Sequence, residues 1–302
     1  MRHPMPFSPS LSRRSLIGGA AGFAATACLP GGLATAAEQL LMEKVIGNVG
    51  NLFGGVTLGE EHERLMATQW FAPIMERHGG MYPSAAAQRS LQAFAAPLYA
   101  ASKRTFLWEI AVLSSNEVLA LAIPAGKILV TRGLMSYVDS EEELASIIAH
   151  EMGHAELSHH LAEIRSRMAQ DAILSTVVDV LNHQKGADAR TAGQVIDALK
   201  APLLDIMEGG YSRENELAAD AFIPGAFRAA GLDPATSSLA WHRLLRLYPP
   251  DAGASSLFAS HPQMVERIDA LEAAAGPSTG QRGFAGSEAF RQLKSIFPTR
   301  PV

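Results

Sequence analysis

A mostly helical α+β fold, with a small antiparallel sheet of about three strands beside one long helix, follows from three features of the chain. Apolar residues recur at helical spacing on both sides of a short central region. That region instead holds three β-rich runs punctuated by turn residues. Directly after it comes a long helical stretch with a strong start signal at Ser140.

Taken in chain order, residues 1–36 read as an export signal. Ser12-Arg13-Arg14-Ser15-Leu16-Ile17 precedes an apolar Gly/Ala-rich run to Leu29. The adjacent arginines suggest the twin-arginine route. Pro30-Gly31-Gly32 breaks the run before Ala34-Thr35-Ala36, an A-x-A site that leaves Ala37 as the new start. The alternative is lipidation of Cys28, with membrane association as its consequence, although Ala25-Thr26-Ala27-Cys28 is a poor lipobox. Simple cleavage and a periplasmic location are favoured.

Residues 37–274 form the expected main domain. Leu58–His78 and Ser84–Ser102 read as amphipathic helices joined by Gly79-Gly80-Met81-Tyr82-Pro83. Thr105–Leu113, Glu117–Ile123 and Lys127–Thr131 read as strands, with Ser114-Ser115-Asn116 and Pro124-Ala125-Gly126 as their turns. Further helices are expected over Asp171–Leu181 and Thr191–Met207. Residues 275–302 read as a linker and a short terminal helix.

The long helix is expected from Glu141 to Arg167. Ser140 and Glu143 have capping-box spacing, and three consecutive acids favour the helix dipole. Leu144, Ile147, Ile148, Met152 and Leu157 mark a buried face. On it lie His150-Glu151-Met152-Gly153-His154. Histidines four apart share one helical side, so both can bind a single Zn²⁺, and the intervening Glu can take a proton from water there. Gly153 interrupts an otherwise good helix and could let another segment approach closely.

A catalytic zinc usually takes a third protein ligand. Tyr211-Ser212-Arg213-Glu214-Asn215-Glu216-Leu217-Ala218-Ala219-Asp220 is again helical in character. Glu216 and Asp220 lie one turn apart, so one can bind metal while the other fixes a ligand histidine's tautomer. Glu214, on roughly the opposite side, is the rival ligand. His159 and His160 are expected to continue the long helix on other sides and to serve structure or solvent. The same holds for His62, His78, His183 and His242.

At this point the chain resembles metallopeptidase family forty-eight, a gluzincin group, over roughly Gly59 to Leu271. The resemblance is carried by Ile123-Pro124-Ala125-Gly126-Lys127-Ile128-Leu129-Val130-Thr131-Arg132-Gly133-Leu134, by the HExxH, by Ser212-Arg213 with Glu216 and Asp220, and by Ser260-His261-Pro262 with Arg267-Ile268. It implies a zincin-like fold and one Zn²⁺ held by His150, His154 and Glu216. Glu151 is then the general base, Asp220 the carboxylate behind a ligand, and His261 the stabiliser of the oxyanion. Arg213 is implied as a weaker candidate for the site wall. Relatives usually carry Asn before the edge strand where this chain has Leu119, so that contact to substrate is missing. Lys127, Ile128, Leu129 and Ala120 are expected to meet extended substrate, with Lys127–Val130 as an edge strand.

Composition narrows the partners. Residues 1–36 carry three of the 25 Lys/Arg and none of the 30 Asp/Glu, so the mature chain has a net charge of −8. No basic stripe exists to bind nucleic acid. The single Cys lies in the export signal, so stability rests on core burial and metal rather than disulfides. The expected function is that of a zinc endopeptidase clearing unfolded envelope proteins. The rival expectation is a periplasmic assembly factor for outer-membrane proteins with a structural zinc, and a latent form with His261 as fourth ligand is a third possibility.

Overall fold

The protein is seen as a computed structural model that describes residues 60–163, 210–247 and 264–299. The export segment, both helices expected between residues 171 and 207, and His261 lie outside the described residues.

Helix α1 (Glu60–Arg77) buries Met66, Trp70 and Ile74. Helix α2 (Ala85–Ala95) starts where Ser84 Oγ accepts from Ala87 N, and its Leu91 and Phe94 are fully buried. It tightens into a 3-10 turn, Ala96–Ala101, at Pro97, which has no N–H to continue the α ladder.

Strands β1 (Glu109–Leu113), β2 (Ala120–Ile123) and β3 (Lys127–Thr131) form one sheet in the order β1-β3-β2. The sheet is mixed, not antiparallel throughout. β2 and β3 are an antiparallel hairpin, whereas β3 runs parallel to β1. The chain leaves β1, crosses to the far side, and returns through Pro124-Ala125-Gly126 to lay β3 between the other two strands. Ala125 and Gly126 both have positive φ (63° and 75°), and a Cβ on Gly126 would sit 2.7 Å from Phe106 Cβ.

This order also corrects the edge-strand expectation. Lys127–Val130 is central, and its backbone is used on both sides. Ala120 and the strand it belongs to form the edge instead. Leu119 O accepts from Thr131 N, so the residues paired by hydrogen bonds are 119, 121 and 123. The peptide groups of Ala120 and Ala122 therefore point away from β3.

The opposite edge is closed by two side chains and, at its end, by the backbone of residues 80–82, where Tyr82 N donates to Val112 O and Ser114 N to Gly80 O. Gln88 Oε1 accepts from Val112 N at 2.9 Å while its Nε2 donates to Val112 O at 3.0 Å. One turn on, Gln92 Oε1 accepts from Ile110 N at 3.1 Å. These two amides on α2 do for β1 what a neighbouring strand would do.

Thr131 ends β3 and caps α3 (Arg132–Tyr137), accepting from Leu134 N. Helix α4 (Glu141–Glu156) follows, with Ser140 Oγ accepting from Glu143 N and Glu143 Oε2 from Asp139 N. Every α4 residue from Glu143 to Ala155 is buried. The helix is shorter than expected. It ends at a turn through Leu157 and Ser158, and residues 159–163 begin a new helical stretch.

Helix α5 (Arg213–Ala230) is capped by Ser212 and ends at Gly231, φ 88°. It packs directly against α4. Helices α6 (Leu239–Leu247) and α7 (Met264–Ala275) cover the same region. Helix α8 (Ser287–Ile296) lies on α2, with Ser90 Oγ donating to Gln292 Oε1 and Phe94 meeting Phe284 and Phe290. Its Lys294 Nζ donates to Val138 O at 2.7 Å, which ties it to the end of α3.

Candidate active site

Two helices supply the site because Gly153 lets them touch. A Cβ at that position would fall 2.8 Å from Ala219 O and 2.9 Å from Ala219 Cα on α5. The missing methyl group brings the α5 turn that carries Glu216 and Asp220 onto the turn of α4 that carries the histidines.

At that crossing, His150 Nε2 and His154 Nε2 stand 3.0 Å apart. Glu216 Oε2 lies 3.6 Å from His150 Nε2, and Glu216 Oε1 lies 3.4 Å from His154 Nε2. These residues, all buried, are the group able to hold a metal ion among the described residues. Glu214, by contrast, projects into solvent. Glu151 is buried beside them, near enough to bias protonation at His154 and Tyr211.

Asp220 backs the first histidine. His150 Nδ1–H donates to Asp220 Oδ1 at 2.9 Å, and Trp241 Nε1 donates to the same oxygen at 3.2 Å. Arg267, itself buried, donates through Nε to Asp220 Oδ2 at 2.6 Å and pairs through Nη1 with Glu216 Oε2 at 2.6 Å. Burial alone would raise the Asp220 carboxyl, but Arg267 and His150 outweigh it and hold it below the usual carboxylate range.

Sequence reasoning quoted Arg267 only as part of the resemblance, with no role, and missed Trp241. Arg267 had a legible signal: it shares helical spacing with Met264, Ile268 and Leu271, all buried, so a guanidinium stands in an apolar stripe. A charge placed there needs a buried partner.

His159 and His160 depart from expectation. Because α4 stops at Glu156, the chain folds back and buries both. His159 Nδ1 comes to 2.9 Å from His154 Nδ1, and His160 Nδ1 to 3.3 Å from the Tyr211 hydroxyl. The Tyr211 ring stacks on His154 at 3.9 Å between centroids. Desolvation lowers all three imidazoles, His154 to about 4 and His159 and His160 to about 3, so they are neutral near pH 7.

The turn itself is strained. Ser158 has φ 53°, which costs a residue with a Cβ about 1–3 kcal/mol. Arg104 holds it there, donating through Nη1 to Ser158 Oγ at 2.8 Å and to Glu156 O at 3.2 Å. Its other nitrogens pair with Glu60 and the buried Glu63.

The expected substrate contacts divide. Ala120 is on the edge strand, while Lys127, Ile128 and Leu129 are on the central one. Lys127 Nζ pairs with Glu109 on β1. Arg213 does not line the cluster either. Half exposed at the start of α5, it pairs with Glu266 on α7.

Two histidines from one helix and a carboxylate from another packed against it, beside a small sheet, define the metallopeptidase class with an HExxH helix. The sequence profile of peptidase family M48 matches residues 84–275, and the chain belongs to that family. It is 28% identical to the mitochondrial metalloendopeptidase OMA1 of Arabidopsis thaliana, over 59% of this chain and 36% of the relative. It is 30% identical to the metalloprotease YcaL of Escherichia coli (strain K12), over 52% of this chain and 58% of the relative. The beta-barrel assembly-enhancing protease of the same organism is 24% identical over 52% of this chain and 32% of its own length. The chain thus spans between about a third and somewhat over half of these curated relatives.

Proposed function

We propose that the protein is a zinc-dependent endopeptidase, exported from the cytoplasm, that cleaves unfolded or misassembled cell-envelope polypeptides. The observation that carries this reading is the convergence of two imidazole nitrogens and one carboxylate in a buried cluster. Donors around a tetrahedral zinc at its usual bond lengths stand about 3.3 Å from one another. The two imidazole nitrogens here are 3.0 Å apart, and the Glu216 carboxylate sets one oxygen 3.4 Å from His154 Nε2 and the other 3.6 Å from His150 Nε2, distances on either side of that spacing.

Charge supports it too. Glu151, Glu216 and Asp220 are buried with Arg267 as the buried guanidinium within reach. A dication balances the two negative charges left over, which burial otherwise penalises heavily.

When bound, zinc supplies Lewis acidity toward water and a peptide carbonyl. His150, His154 and Glu216 would hold it. Asp220 fixes the His150 tautomer, and Arg267 keeps Asp220 ionised and pairs with Glu216 to aim it. Glu151 takes a proton from the attacking water and passes it to the leaving amine. His261 is assigned to the developing oxyanion. The outward peptide groups of Ala120 and Ala122 suit pairing with extended substrate, which gives affinity without much sequence preference. Both residues are buried, so this margin must open before a strand can add. The residues from Ser12 to Ala36 support export, and among the described residues no helix is long and apolar enough to cross a membrane.

The test is Glu151→Gln. That variant keeps stoichiometric zinc and loses casein cleavage by at least about a hundredfold. Undiminished cleavage, or a wild-type chain without zinc, overturns the reading.

A further inference from the structure

His154 binds through Nε2 in the proposed site, since that atom is the one facing His150 Nε2 and Glu216 Oε1. A neutral imidazole with a lone pair on Nε2 carries its proton on Nδ1. That proton needs an acceptor, because His154 is wholly buried. His159 Nδ1 stands 2.9 Å from it.

We infer that His159 is a positioning residue for the metal site: its Nδ1 lone pair accepts the His154 Nδ1–H and so fixes the tautomer and ring orientation that present His154 Nε2 to zinc. The inference rests on the metallopeptidase reading above. It gives His154 the kind of support that Asp220 gives His150, from a neutral group that adds no further negative charge beside Glu151 and Glu216.

The backbone is built for this contact. On a continuous helix, residues 154 and 159 would point about 140° apart. The left-handed Ser158 reverses the chain, and Arg104 clamps both Glu156 O and Ser158 Oγ in that turn. Tyr211 stacks within 20° of parallel on the His154 ring, which leaves rotation about its plane to be set by the bond to His159.

The shape of the acceptor supplies the test. Asparagine places Oδ1 near the position of a histidine Nδ1, whereas phenylalanine keeps the ring and loses the acceptor. Zinc affinity is read by competition with a chelator, and the fold of each metal-free variant by circular dichroism and melting. His159→Phe is expected to bind zinc about ten- to a hundredfold more weakly, and His159→Asn to stay within about threefold of wild type. Equal affinity in wild type and His159→Phe overturns this inference alone, as does an Asn variant weakened as much as Phe. Long-range ¹H–¹⁵N spectra of zinc-loaded wild type need no variant. They should show His154 protonated at Nδ1 and His159 at Nε2, and a His159 proton on Nδ1 refutes the assignment. A wild-type chain that holds no zinc removes the metallopeptidase reading and this one with it.

Discussion

Gly153 and Ala219 meet backbone to backbone, with a distance of only 2.8 Å between where a Gly153 Cβ would stand and the Ala219 carbonyl oxygen. The spacing of the metal-ligating helices is set there. Gly153→Ala gains about 1 kcal/mol of helix propensity yet must push α5 outward. The expected outcome is a loss of zinc affinity of at least about tenfold, with global stability lowered by roughly 1–3 kcal/mol. Chelator competition and urea unfolding measure the two effects separately.

Arg267 is the buried counter-charge to Asp220 and Glu216. Arg267→Met leaves both carboxylates without it, and removing one partner of a buried ion pair typically costs about 3–5 kcal/mol. Urea unfolding of the metal-free chain should show that loss. Saturating zinc should recover part of it, since a dication answers the same charges.

On the far side of the sheet, Gln88 and Gln92 occupy the hydrogen-bonding groups of β1. Replacing either with leucine leaves a buried strand N–H unpaired, at about 1–3 kcal/mol each. The double variant should also aggregate on mild heating, which light scattering would follow.

Acid should unfold the metal-free chain, and His160 is one reason. Burial, with His159 adjacent, pushes it from the usual 6.5 to about 3. Between those values the unfolded chain takes a proton that the folded chain refuses. Its stability is therefore full above about pH 6.5 and falls toward pH 3, by about 1.4 kcal/mol per pH unit for one such group. His160→Gln cannot titrate, and its urea-derived stability should depend on pH less steeply by one proton between pH 6 and 4.5.

What could be read from the sequence was local. The shared face of His150 and His154, the one-turn spacing of Glu216 and Asp220, and the Ser140 cap all follow from helix geometry within a few residues. The strand order was not local: nothing within Lys127–Thr131 says that it enters between two other strands. The end of α4 was hidden for a similar reason. Neither Gly nor Pro stands at Leu157 or Ser158, and the turn depends on Arg104, far back in the chain. With the turn unseen, so was the approach of His159 to His154. Export and the role of His261 remain proposals from the sequence, outside the described residues.

The glutamine seal on β1 has a consequence for self-association. Open-ended, head-to-tail polymers need two different adhesive faces on each subunit, whereas a single one can only close on its own copy. With β1 spoken for, this sheet can offer β2 alone once its buried margin opens, so copies meeting through their strands would stop at a pair and could not grow into a filament.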